Sequence, residues 1–162
     1  MIIKDIGKQE VKDFHTVKAI LEELFKDKLT KIVQREEFSP TDCLFSASTK
    51  TACKAYSMEI KEVRNTDYLN RGFVLKFTKL INMQKDNISR NPSEALNIIY
   101  IVPSLQKYYI YDLKDISLDK LEKDVIKMRV KQFDENSPKA EFAVLYLPLE
   151  IAKVSGTYIT KN

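Results

Sequence analysis

The sequence predicts a mixed β-sheet covered by helices, an α/β or α+β sandwich. Two long segments carry apolar residues at three- and four-residue steps, the period of a helix packed on one side. Between and after them, shorter segments alternate apolar with polar residues, or run apolar throughout, as strands do. The resulting order of helix, three strands, helix and further strands is the pattern of a sheet sandwiched by helices.

The first helix is expected from about Glu10 to Lys28, where Phe14, Val17, Leu21, Leu24 and Phe25 draw one stripe. Lys31 to Glu37 reads as a short strand, and Ser39-Pro40 breaks the chain before the next one. Asp42 to Ala47 alternates, with Cys43, Phe45 and Ala47 on one face and Asp42, Leu44 and Ser46 on the other. A polar turn at 48–51 leads into a third strand over 53–63. There Tyr56, Met58 and Ile60 share one face, and Ser57, Glu59 and Lys61 share the opposite one.

A second long helix is expected from about Tyr68 to Ile88, on the stripe Leu69, Phe73, Phe77, Leu80 and Ile81, ending before Asn91-Pro92. Leu96 to Val102 is an almost unbroken apolar run, suited to a strand buried on both faces. Lys107 to Leu113 is a further strand, Leu118 to Lys123 a short helix, and Val125 to Lys131 a strand with one basic face. A loop at 134–139 precedes a last strand from Phe142 to Leu147.

At 162 residues the chain is expected to form one domain, with a core at about 8–113 and an extension over 114–162. Its 44% hydrophobic and 31% charged residues are a globular balance, and no apolar run is long enough to span a membrane. The N-terminal segment lacks the apolar core of a secretory signal, so a cytoplasmic location is expected. Cys43 and Cys53 show no CxxC spacing and are read as reduced thiols. A net charge of +4 permits a polyanionic partner without requiring one.

The composition also excludes chemistries. His15 is the only histidine, which removes mechanisms built on two histidines of one chain. With glycine only at positions 7, 72 and 156, no Gly-rich loop can wrap a nucleotide phosphate. Any hydrolysis must therefore rest on carboxylates and lysine.

Such a set is present. Asp42 in PTDCLF is followed seventeen residues later by Glu59 in MEIK. Alternation puts Glu59 and Lys61 on one face, and a hairpin places Asp42 on the neighbouring strand. Two hard carboxylates suit Mg²⁺ or Mn²⁺, an ammonium beside them suits a phosphodiester, and the Ile60 carbonyl between the charged side chains could add a third oxygen ligand.

These residues, in this order of elements, resemble the PD-(D/E)xK nuclease superfamily, which includes restriction endonucleases and Holliday-junction resolvases. The resemblance covers about residues 8–113 and implies a restriction-endonuclease-like mixed sheet flanked by helices. It further implies metal-dependent cleavage of nucleic acid, DNA more often than RNA, with Asp42 and Glu59 as ligands and Lys61 as the catalytic lysine. Here Thr41 separates the proline from the aspartate, a common departure. Many members add a glutamate from the first helix. Glu10 is the choice, because it continues the Phe14, Val17, Leu21 stripe onto the face expected to be buried, whereas Glu22 and Glu23 turn away from it.

Other basic residues are candidate phosphate contacts: Lys76 and Lys79 on the second helix, and Lys127, Arg129 and Lys131, whose alternation places them about 7 Å apart. The alternative reading of the second group is an edge strand guarded by charge. Gln84 is either a helix-borne site residue or a polar residue at the helix end. A homodimer would follow if both strands of a duplex are cut. A lysine-, isoleucine- and asparagine-rich, glycine-poor chain suits an AT-rich phage or mobile-element genome. The rival from another class is a non-catalytic nucleic-acid-binding or assembly module that keeps the fold.

Overall fold

A computed structural model of the protein describes residues 2–129 and 138–159, with side chains from Gln9 to Met128 and from Pro138 to Ile159. Helix α1 (Ile2–Phe25) is continued by a 3-10 turn at Lys26–Lys28. Three antiparallel strands follow, β1 (Leu29–Gln34), β2 (Cys43–Ser48) and β3 (Cys53–Glu62). Strand β4 (Phe73–Lys76) runs directly into α2 (Phe77–Arg90), and the chain returns as β5 (Ala95–Val102) and β6 (Lys107–Asp112). The remaining strands are β7 (Lys123–Arg129), β8 (Lys139–Leu147) and β9 (Val154–Thr157).

Six strands form one sheet in the order β1-β2-β3-β5-β6-β9, with β3 and β5 parallel and the other neighbours antiparallel. Strands β4, β8 and β7 form a second, antiparallel sheet. Helix α1 covers one face of the large sheet: Phe14, Val17, Ile20 and Leu21 meet Cys43, Phe45, Met58, Ile99 and Ile101. On the other face, α2 and the small sheet bring Leu80, Met83, Phe73, Leu75, Leu145 and Leu147 against Leu96, Ile98, Tyr100 and Val102. Strand β5 lies between the two layers and is buried at every position, which is why its sequence, Asn97 apart, is apolar without alternation. The expected mixed sheet flanked by helices is thus observed, in the order helix, three antiparallel strands, crossover helix and parallel strand.

The second helix is shorter than its periodicity implied. Residues 73–76 form β4 because Phe73 and Leu75 alternate into the core and pair with Leu147 and Leu145 of β8. Leu69, Phe73 and Phe77 are four residues apart, so an alternating strand beside a helix mimicked one continuous stripe. Gly72 makes the break: its φ is +108°, and a Cβ there would lie 2.3 Å from the Leu147 carbonyl oxygen. Gly72→Ala is expected to cost about 3 kcal/mol, lowering the Tm by about 10 °C in a circular-dichroism melt.

Within α2, the buried side chains are Leu80, Met83 and Asn87, whereas Ile81, expected on the stripe, is exposed. The expected strand at Lys31–Glu37 ends at Gln34. The short helix near Leu118 is a three-residue 3-10 turn. Strand β9 carries no local strand signal, since its sequence VSGT has neither an apolar run nor strong alternation. The two cysteines are free and lie near opposite ends of the β2–β3 hairpin, Cys43 facing Met58 and Cys53 facing Ser48. Among the described residues no helix is long and apolar enough to cross a membrane.

Candidate functional site

Strand β3 outruns β2 at its C-terminal end, and the site sits at that step. The last β2 partner of β3 is Cys43, opposite Met58, and the backbone N–H of Asp42 donates to the Met58 carbonyl at 3.0 Å. Asp42 therefore stands beside Glu59 and Ile60, and its Oδ2 accepts the Ile60 N–H at 2.7 Å. Because the N–H and C=O of one strand residue point to the same side, the Ile60 carbonyl also lies on the Asp42 side.

Glu59 is only 7% exposed. Burial first, and then the charge and close contact of the Asp42 carboxylate, push its carboxyl up to about 8, with Lys79 opposing the shift. Lys79 Nζ lies 3.0 Å from Glu59 Oε2. The other oxygen, Oε1, is buried without a hydrogen-bond partner. Two ionised carboxylates have no proton to share, so this contact leaves Oε1 unsatisfied unless Glu59 is protonated or a cation is shared with Asp42.

A cleft of about 960 Å³ opens over the pair and is lined by Glu10, Asp42, Glu59, Ile60, Lys61 and Lys79 among others. Lys61 is exposed at the cleft, two residues beyond Glu59 on the same face of β3. Glu10 also lines the cleft, but the expectation that it lies on the buried face of α1 does not hold: it is exposed. The buried stripe of α1 closes with Phe14, Val17, Ile20 and Leu21, and one turn earlier the helix borders the open cleft. Partial burial raises the Glu10 carboxyl, followed by the negative charges of Asp42 and Glu37.

The basic candidates separate. Lys79 is a counterion to Glu59. Lys76, expected on the second helix, is instead the last residue of β4; its ammonium lies 4.4 Å from the centre of the Phe142 ring, and burial followed by the nearby Lys61 charge lowers its pKa. Lys127 is exposed on β7, an edge strand, opposite Glu141 and outside the cleft lining. Arg129 ends β7 opposite Lys139, and Lys131 lies outside the described residues. Gln84 borders a different hollow, beside Leu113 and Ile116. The tyrosines of β6 pack inside: Tyr111 meets Tyr100 edge-on, and Tyr109 meets Phe73.

Sequence reasoning missed the support behind Asp42. The backbone N–H of Arg35 donates to the Asp42 carbonyl at 2.8 Å. Its guanidinium donates to Thr41 Oγ1 at 2.8 Å and to both carboxylate oxygens of Asp86 on α2, at 2.8 and 3.2 Å. Thr41 in turn bonds Ser57 across 2.6 Å, both side chains being fully buried. Arg35 thus ties the residues flanking Asp42 to α2. Its partner Asp86 is 51 residues away, so no local pattern announces the pair. Only Ser57, on the Glu59 face of β3, carried a sequence signal. Arg35→Ala is expected to destabilise the protein by about 3 kcal/mol in urea unfolding, since it strips a nearly buried bidentate ion pair.

The donor set fits a hard divalent cation. Among the described residues no three His, Cys, Asp or Glu side chains converge. Mg²⁺ nevertheless keeps several waters and is commonly held by one or two carboxylates together with substrate phosphate. Glu59 Oε1, buried without a hydrogen-bond partner, is an oxygen that such a cation would satisfy.

No protein-family model and no curated protein matches the chain. Among solved structures, the fold is similar to that of Hjc, a Holliday junction resolvase from the archaeal hyperthermophile Archaeoglobus fulgidus. The TM-score is 0.47 and the identity 10%, over 90% of this chain and 91% of that one.

Proposed function

We propose that the protein is a metal-dependent nuclease that hydrolyses phosphodiester bonds of nucleic acid, DNA in the first instance. One observation carries this reading: Asp42 and Glu59 are brought together at the step between β2 and β3 with a Glu59 oxygen buried and unsatisfied, and Lys61 follows on the same strand face. Asp42, Glu59 and the Ile60 carbonyl would hold Mg²⁺ or Mn²⁺. When bound, the cation supplies Lewis-acid polarisation of the phosphate and a water of lowered pKa.

The remaining work belongs to the chain. Lys61 orients the attacking water and offsets charge gathering on the non-bridging phosphate oxygens. The Ile60 N–H holds the Asp42 carboxylate in one orientation. Lys79 lies against Glu59 before loading, pairing with it where that carboxyl is ionised, and, once released, adds positive charge to the cleft where phosphate approaches. Glu10 borders the cleft and adds negative charge near Asp42, where it favours cation binding. A homodimer would present two such clefts to a duplex.

A second reading is favoured by the Lys79–Glu59 ion pair, which already supplies Glu59 with a cation. The domain would then bind nucleic acid without cutting it. The deciding experiment incubates purified protein with labelled single-stranded, duplex and branched DNA and RNA in Mg²⁺, Mn²⁺ or EDTA. Cutting in metal and none in EDTA is expected. Binding that is indifferent to metal, with no cutting on any substrate, would establish the second reading.

A further inference from the structure

Phe38 is the most exposed large apolar residue described, at 93%, and it stands at the lip of the cleft that holds Asp42 and Glu59. Its φ of 66° places a bulky aromatic in the left-handed region, where such residues are seldom found. Surface strain of this kind persists only where the surroundings impose it. Here they do. The segment between β1 and β2 is fixed at its start by Arg35, which holds both the Asp42 carbonyl and the Asp86 carboxylate. Its tip is closed by the Ser39 N–H donating to the Glu36 carbonyl at 3.1 Å. The turn is therefore pinned to the element that carries Asp42, and the ring at its tip projects into solvent.

What such a ring meets follows from its neighbours. Glu36 and Glu37 precede it and line the same cleft, so this lip repels phosphate. The face of a nucleobase is uncharged, and it stacks on aromatic side chains with little regard to sequence. Asp42 is the fourth residue after Phe38, a reach of about 14 Å at most, or roughly four base steps of 3.4 Å. In a paired duplex each base face is covered by its neighbours, so only an unpaired base offers the ring a surface.

Taking the nuclease reading as its basis, we propose that Phe38 is a stacking platform for an unpaired nucleobase within a few nucleotides of the cut phosphate. It would thereby direct the enzyme to substrates with unpaired bases. The acidic residues beside it keep the backbone away from the lip, while the cations Lys61 and Lys79, which line the same cleft, receive it.

The test compares Phe38→Ala and Phe38→Trp, each made in a Lys61→Ala background so that substrate survives in Mg²⁺. The ligands are a fully paired duplex and the same duplex with one unpaired 2-aminopurine. The background protein is expected to bind the second about tenfold more tightly, the lower range for one base–aromatic stack, and to quench its fluorescence. Phe38→Ala should erase that preference while binding the paired duplex within about twofold of the background, a margin well below one stack. Phe38→Trp should restore the preference. Because the chain contains no tryptophan, the introduced indole should report stacking by quenching only with the unpaired base. A preference retained in Phe38→Ala, or an equal loss on both duplexes, would overturn the proposal. So would an indole signal that depends on protein concentration without nucleic acid, which would mark a protein contact instead. If the wild type binds no nucleic acid in any metal, the nuclease reading itself falls, an outcome distinct from the others because they all leave binding intact.

Discussion

Lys61→Ala should lower the single-turnover cleavage rate by about 10²–10³, the usual effect of removing one group that stabilises developing charge. Binding of the same substrate should change by less than about threefold, because one exposed lysine contributes about one counterion to the salt dependence. Lys61 is exposed, and among the described residues its side chain makes no hydrogen bond or ion pair, which makes the substitution a clean probe. A variant that cuts at the wild-type rate would remove Lys61 from the reaction. Equal losses of binding and cleavage would make it a phosphate anchor only.

Glu59→Gln should flatten the pH dependence of stability in metal-free protein. Burial first, and Asp42 second, raise the folded-state carboxyl from its ordinary 4.5 to about 8. The folded form thus binds a proton that the unfolded chain releases, so stability is full below about pH 4.5 and is lost as pH rises towards 8. The loss at high pH is at most about 5 kcal/mol at the usual conversion of pKa to free energy. Glutamine carries no such proton, so the variant should be the more stable at pH 8 and nearly equal at pH 5.

Asp13 contributes a slope of the same sign, since burial and its bond to Glu62 hold it at about 7. That slope is common to both proteins, and the difference between them isolates Glu59. Mg²⁺ or Mn²⁺ should raise the Tm of the wild type at pH 8 and leave the variant unmoved, since a ligand that binds only the folded state stabilises it by mass action. Identical pH profiles would mean that Glu59 is not strained by its burial.

The sequence determined the architecture wherever one periodicity held without interruption. Alternation in β2 and β3, the apolar run of β5 and the stripe on α1 each have one physical solution: a half-buried strand, a fully buried strand and a one-sided helix. Because strand side chains alternate, Glu59 and Lys61 had to share a face, and a four-residue polar turn at 48–51 had to bring Asp42 back towards them. Those placements follow from covalent geometry and the pleat.

Tertiary structure decided everything that depends on which distant surfaces meet. That 73–76 is strand and not helix turned on β8, which arrives some 70 residues later to pair with Phe73 and Leu75 and to crowd Gly72. Likewise, α1 could show a stripe but not where the sheet beneath it ends, and so Glu10 came to face an open cleft instead of a core. Lys79 as the partner of Glu59, Arg35 as the tie between Asp42 and Asp86, and Phe38 held out over the cleft are likewise contacts or loop shapes set by long-range packing. Local sequence fixes the direction in which a side chain leaves its own element, whereas the partner it meets is set by the packing of the whole chain.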